Sequence, residues 1–164
     1  MLISLTELQG YVVRLAESAD IPAIMQINQD TLPENYPEHF FREIQDRYSK
    51  AFFVVEGEGK LLGYIMCRME GGVSNFGLRW IRRGHIVSVA ILPAYRRQGL
   101  ATKLIQESTK ALTTEYNAKE VILEVRITNH PAIKLYEKLG FQRIRTLNAY
   151  YRNGENAQLM AIKV

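Results

Sequence analysis

Apolar residues along this chain keep two rhythms. Apolar or alternating runs of strand length occur at residues 11–15, 51–56, 60–69, 85–92, 120–126, 141–147 and 157–164, several of them rich in Val, Ile and Tyr, the composition that suits a pleated, half-buried surface. Elsewhere the spacing is helical. Ile21, Ile24, Met25 and Asn28 share one helix face behind Ser18, Asp20 and Pro22, which read as a helix start. Phe40, Phe41, Ile44 and Tyr48 make a second face, and Leu100, Leu104, Ile105, Ser108, Ala111 and Leu112 a third. A fourth helix is bracketed by a cap at Thr128 or Asn129, an early Pro131 and a terminal Gly140. Gly57-Glu58-Gly59 reads as a hairpin turn. Residues 70–84, glycine-rich and then basic, keep no period and are expected to form a long mobile loop.

The most informative stretch spans residues 85–108. An almost unbroken apolar run ends at Pro93, as expected of a strand buried on both faces, and helical spacing follows. At the junction stand Arg96, Arg97, Gln98, Gly99, Leu100, Ala101 and Thr102, with no Ser, Thr, Asp or Asn where a side-chain cap would satisfy the first helical N–H groups. A glycine that admits close approach, a helix N-terminus and two arginines together favour an anion such as a pyrophosphate. A surface turn that merely carries Gly and Arg is the alternative.

Composition narrows the class. A length of 164 residues with 47% hydrophobic residues suits one domain, residues 1–164, with a proper core. A formal charge of +4 is modest for a nucleic-acid binder. The single Cys67 excludes an internal disulfide and a cysteine-based zinc site, and points to a reducing compartment. Within its strand it reads as a buried thiol rather than an acyl-carrying nucleophile. Residues 1–7 lack the basic start of a secretory leader, and no apolar run is long enough to span a membrane; a cytoplasmic protein is expected. Three features stay open at this level. Glu124, inside an apolar strand, is either a functional carboxylate or the partner of Arg126 two residues on. Glu34 and Tyr36, between Pro33 and Pro37, are either loop residues or a wall of a site. Arg79, Arg82 and Arg83 beside Trp80 either touch RNA or an acidic partner, or are solvated.

Arg96, Gly99 and Ala101 resemble the acetyl-coenzyme A motif of the GNAT superfamily, Arg/Gln-x-x-Gly-x-Gly/Ala, and Asn129, Ala132, Tyr136, Leu139, Gly140 and Phe141 resemble its second signature. Residues 32–36, residues 84–90 and the group Tyr150, Tyr151, Gly154, Glu155 and Ala157 are similar to the NatA-type catalytic subunits of protein N-terminal acetyltransferases and their archaeal relatives, a likeness that covers nearly the whole chain. The 70–84 stretch departs from it, being shorter in the eukaryotic subunits. The resemblance implies an α/β fold of the α+β type: a mixed, mostly antiparallel sheet of about seven strands, about four helices and splayed central parallel strands. It implies direct transfer of acetyl from acetyl-CoA to a protein's N-terminal α-amine, without metal. Glu124 and His85 then serve as water-mediated bases, the backbone of Val89, Ala90 and Ile91 meets the developing oxyanion, and Tyr136 protonates the leaving thiolate. Arg96 to Thr102 with Asn129, Ala132 and Tyr136 hold the cofactor, and Glu34, Tyr36, Tyr150 and Tyr151 frame the peptide. Partners are protein N-termini, with the ribosome as a place to meet them, and neither a membrane nor a specific nucleic acid sequence; an auxiliary subunit is left open. Rival functions are acetylation of a lysine or a small amine, or a CoA-sensing or RNA-associated module without catalysis.

Overall fold

The computed structural model describes residues 6–8 and 10–164; residues 1–5, read above for a leader, lie outside the described residues. In chain order the elements are β1 (Thr6–Leu8), β2 (Tyr11–Leu15), α1 (Ile21–Thr31), α2 (Glu38–Arg47), β3 (Phe53–Gly57), β4 (Lys60–Val73), β5 (Trp80–Ile91), α3 (Leu100–Tyr116), β6 (Glu120–Arg126), α4 (His130–Lys138), β7 (Gln142–Leu147) and β8 (Ala157–Lys163). The sheet order is β1-β2-β3-β4-β5-β6-β8-β7, antiparallel at each step except β5–β6. All seven expected strands and four helices are there, with the short β1 added at one edge.

Helices cover both faces, so the sheet is the middle layer of three. On one face Ile21, Ile24 and Ile27 of α1 and Phe41 and Ile44 of α2 pack on Val54, Tyr64 and Met66. On the other, α3 and α4 pack on Val55, Leu62, Ile65, Cys67, Val121 and Leu123. The buried residues of α3 are Leu100, Leu104, Ile105, Ser108, Ala111 and Leu112, the six that the spacing selects. A buried polar chain fastens the first layer: Tyr64 Oη lies 2.6 Å from Ser88 Oγ and accepts from Asn28 Nδ2 at 3.1 Å. Asn28 Nδ2 also donates to the Glu34 carbonyl at 3.0 Å, and Asn28 Oδ1 accepts from the Tyr36 N–H at 3.3 Å. The α1–α2 connection carrying Glu34 and Tyr36 is thereby pinned to β4 and β5.

Residues 70–84 are not a loop. β4 runs to Val73, β5 starts at Trp80, and the two pair in register from Glu70↔Arg83 to Val73↔Trp80. Tertiary contacts that leave no periodic trace order this extension. Glu120, buried at the start of β6, accepts from the Ser74 hydroxyl, from the Asn75 N–H at 3.1 Å and from Asn75 Nδ2 at 3.1 Å. Leu78 and Trp80 stay 97% and 72% exposed, which is why no buried stripe announced the strands.

Two irregularities of β5 shape the site. A bulge lies opposite Met66/Cys67, where the partner shifts from Ser88 to Ile86 and leaves Val87 unpaired. On its other side, β5 pairs with β6 only from Arg83↔Glu120 to His85↔Ile122. Beyond His85 the parallel strands part, so the expected splay is present. The sequence predicts a β5 buried on both faces; instead His85, Val87 and Val89 are half-buried because they line the cleft that this parting opens.

Candidate active site

The parting of β5 and β6 makes a cleft of about 700 Å³ that passes between the strands. Its walls come from the α1–α2 connection, β5, β6, α4 and the β7–β8 connection. Backbone groups of β5 that point away from β4 have no strand partner there. Tyr36 Oη, stacked on Phe40 with centroids 4.9 Å apart, donates to the Val87 carbonyl at 3.4 Å.

Glu124 and His85, two β-residues from different strands, meet at one mouth. His85 Nε2 lies 2.8 Å from Glu124 Oε1, and the Tyr150 hydroxyl donates to the same oxygen at 2.9 Å. Both side chains are 12% exposed. The second His85 nitrogen, Nδ1, lies 2.7 Å from Glu70 Oε1. Burial lowers the His85 pKa, but hydrogen bonds and charge from Glu124 and Glu70 outweigh it and raise it to about 9. Glu70 is correspondingly held down at about 2, chiefly by its hydrogen bond to His85, with Arg68 adding to it against the cost of burial. Burial and the Glu124 carboxylate push the Tyr150 hydroxyl well above its usual range.

Arg126 does not pair with Glu124, although the two share a strand face. It reaches across the mouth instead, donating to Glu34 and, at 2.6 Å, to Glu155 Oε2, with its guanidinium 4.0 Å over the Tyr151 ring. Longer reach decides this: a carboxylate on each flanking loop meets the guanidinium fork, while Glu124 is already taken by His85 and Tyr150. Tyr150 and Tyr151 meet edge to face at 5.0 Å.

Tyr136 of α4 lines the same cleft, is 8% exposed and touches the Phe141 ring edge to face. Burial alone lifts its hydroxyl to about 12, so it holds its proton at any physiological pH. Asn129 caps α4, its Oδ1 accepting from the Ala132 N–H at 3.3 Å; Thr128 turns away to Glu155. Cys67 is fully buried and outside the cleft, its thiol pushed up to about 12 by burial.

At the N-terminus of α3, Gly99 is the capping residue, left-handed at φ 82°, and no side chain caps the helix. The first helical N–H groups thus have no intrahelical acceptor. Arg97 is also left-handed, at φ 62°, a strained setting for a residue with a Cβ, and such strain gathers at functional loops. Arg96 donates through Nε to the Ile91 carbonyl at 2.9 Å, bracing the turn after β5. Leu100 offers only its backbone, since its side chain is core. Ala101 and Thr102 complete the first turn. This cradle of N–H donors beside arginines fits an anionic group. Val89 lines the cleft, while Ala90 and Ile91 are buried in the cores on the two faces of the sheet.

The resemblance reached Glu124, His85, Tyr136, Tyr150, Tyr151, Tyr36 and Glu34, which line one cleft, and the Arg96–Thr102 turn. It missed Glu70, Arg68 and the Asn28–Tyr64–Ser88 chain. No period in residues 70–84 marks the hairpin that carries Glu70, whose pairing is set by the β4–β5 register. Among the described residues no cluster of metal-ligating side chains occurs, and no helix is long and apolar enough to cross a membrane.

Known proteins resemble this chain over most of its length. An N-alpha-acetyltransferase of Sulfolobus acidocaldarius is 49% identical over 154 residues, covering 93% of this chain and 92% of the relative. Chaetomium thermophilum Naa20 in complex with a bisubstrate analogue superposes with a TM-score of 0.79 at 29% identity, over 93% of this chain and 86% of that one. The NatB acetyltransferase complex bound to CoA gives 0.76 at 29% identity, over 93% and 98%. The acetyltransferase (GNAT) family model matches residues 21–141. With a strand fork, an uncapped α3 and a relative of half-identical sequence, the chain belongs to the acetyltransferase (GNAT) family.

Proposed function

We propose that this protein transfers acetyl from acetyl-CoA directly to the N-terminal α-amine of proteins. One observation carries the choice of amine: the Glu34–Arg126–Glu155 strap ties the α1–α2 connection to the β7–β8 connection across the mouth beside Glu124. A strapped mouth suits a single chain end entering lengthwise, where a lysine on a folded surface needs an open groove. Chemistry points the same way. At pH 7 about a tenth of α-amines are neutral, against roughly four in ten thousand lysines, so a carboxylate base suffices for the former. The names of the relatives, N-alpha-acetyltransferase among them, support it.

In this reading Glu124 accepts the amine proton, directly or through one water, with His85 and Tyr150 orienting it. Backbone N–H groups of β5 past the fork meet the negative charge that develops on the acetyl oxygen. Tyr136 keeps a proton on its hydroxyl and gives it, or a hydrogen bond, to the departing sulfur. Acetyl-CoA, when bound, supplies the activated acetyl group; the α3 N-terminus with Arg96 and Arg97 holds its phosphates. Transfer is direct, because Cys67 is buried away from the cleft and protonated. A cytoplasmic setting, with N-termini met as they leave the ribosome, goes with this reading.

The test is a reaction of the protein with a peptide library and acetyl-CoA, the acetyl being located by mass spectrometry. Label on α-nitrogens is expected. Glu124→Gln should lower kcat by roughly a hundred- to ten-thousand-fold with acetyl-CoA affinity intact. Label confined to ε-nitrogens would sink the α-amine reading, and full turnover by Glu124→Gln would remove Glu124 as the base.

A further inference from the structure

We infer that Glu70 is a positioning residue for the reaction: it grips His85 from behind, and the ring so held aligns the Glu124 carboxylate. This rests on the reading of Glu124 as the base. The protons on one ring decide the matter. Each His85 nitrogen has a carboxylate oxygen within hydrogen-bond distance, Glu124 at 2.8 Å and Glu70 at 2.7 Å. Carboxylates only accept, so both contacts are hydrogen bonds only when both nitrogens carry protons. A doubly protonated ring is not a base. Its work is to donate to Glu124 Oε1, which also receives Tyr150, leaving Oε2 out of both bonds.

Glu70 is itself held. Arg68 Nε donates to Glu70 Oε1 at 3.0 Å, and Arg83 Nε stands 3.9 Å from Oε2. The β4–β5 register sets Glu70 opposite Arg83 and Arg68 opposite His85, so the β4–β5 hairpin is what delivers the carboxylate. The charged and titratable groups facing the ring are thus Glu70 and Arg68 from β4, Arg83 from β5, Glu124 from β6 and Tyr150 from the β7–β8 connection. Glu70 is absent from the walls of the cleft and lines a neighbouring hollow beside Phe40, Glu43 and Arg47 of α2. Its link to Glu124 is through the His85 ring.

Glu70→Gln keeps the shape and an acceptor oxygen but removes the charge; Glu70→Asp keeps the charge and shortens the reach. The His85 ring is titrated by NMR in the free protein, and kcat is followed against pH with an α-amine peptide. In the parent protein the ring is expected to titrate near 9. In Glu70→Gln the midpoint is expected to fall by about one pH unit or more, the loss of one opposite charge in contact. The alkaline limb of kcat should fall with it, leaving roughly two- to tenfold less activity at pH 8, little change at pH 6 and an unaltered KM for acetyl-CoA. Glu70→Asp should lie between. An unmoved His85 titration, or a moved titration with a superimposable kcat profile, overturns the inference. A parent protein that acetylates no α-amine overturns the functional reading and this role with it, while the NMR titration still reports whether Glu70 holds the ring.

Discussion

Arg126 shows how a single side chain changes what its neighbours mean. Glu34 taken alone is a carboxylate at a peptide entrance, fit to repel an acidic first residue. In the fold its charge faces the Arg126 guanidinium, which also serves Glu155, so the strap carries two negative charges and one positive. The two partners then move selectivity in opposite directions. Glu34→Gln leaves Arg126 and Glu155 balanced, and peptides starting with Asp or Glu should gain on those starting with Ser or Ala by roughly two- to fivefold in kcat/KM, the scale of one screened charge a few ångströms away. Arg126→Met leaves two carboxylates, and the same ratio should shift by a similar factor against acidic peptides. Paired-peptide competition measures both; equal shifts of the same sign would mean that the strap acts by shape alone.

At the scale of elements, the N-terminus of α3 carries the sharpest expectation. Gly99 sits at φ 82°, so most replacements mix backbone strain with chemistry. Asn and Asp tolerate that conformation better than other side chains, and either can compete for the same N–H donors. Their difference is therefore a charge. Gly99→Asp should bind CoA at least roughly tenfold more weakly than Gly99→Asn by calorimetry; equal affinities would remove the phosphates from this turn. The elements themselves were mostly legible from the chain, because packing imposes period. Ser108 among the leucines of α3 was readable as buried on spacing alone. The β4–β5 extension was not, because Gly71 and Gly72 lie beneath the Trp80 and Arg83 side chains and its tip is fixed by Glu120, some 45 residues away in sequence. The site divides similarly. Glu124, His85 and Tyr136 emerged from resemblance on fixed strand and helix positions, whereas Glu70 depends on a register that no local pattern states.

For the whole molecule, the His85 pair predicts the shape of stability against pH. Glu70 ionises more readily folded than unfolded, at about 2 against the usual 4.5, so its contribution is present above pH 4.5 and is lost as pH falls toward 2. His85 holds its proton more tightly when folded, at about 9 against 6.5, so its contribution is complete below pH 6.5 and is lost as pH rises through 9. Thermal unfolding should accordingly give its highest Tm between about pH 4.5 and 6.5, with a decline toward pH 9 that Glu70→Gln shallows. A decline equally steep in the variant would refute the linkage. The fork between β5 and β6 has a wider consequence. Past the three pairs that begin with Arg83↔Glu120, β5 and β6 part, and the β5 backbone on that side has no strand partner. An extended group that enters this opening can be held through backbone groups rather than side chains, so recognition there does not depend on matching any particular side chain.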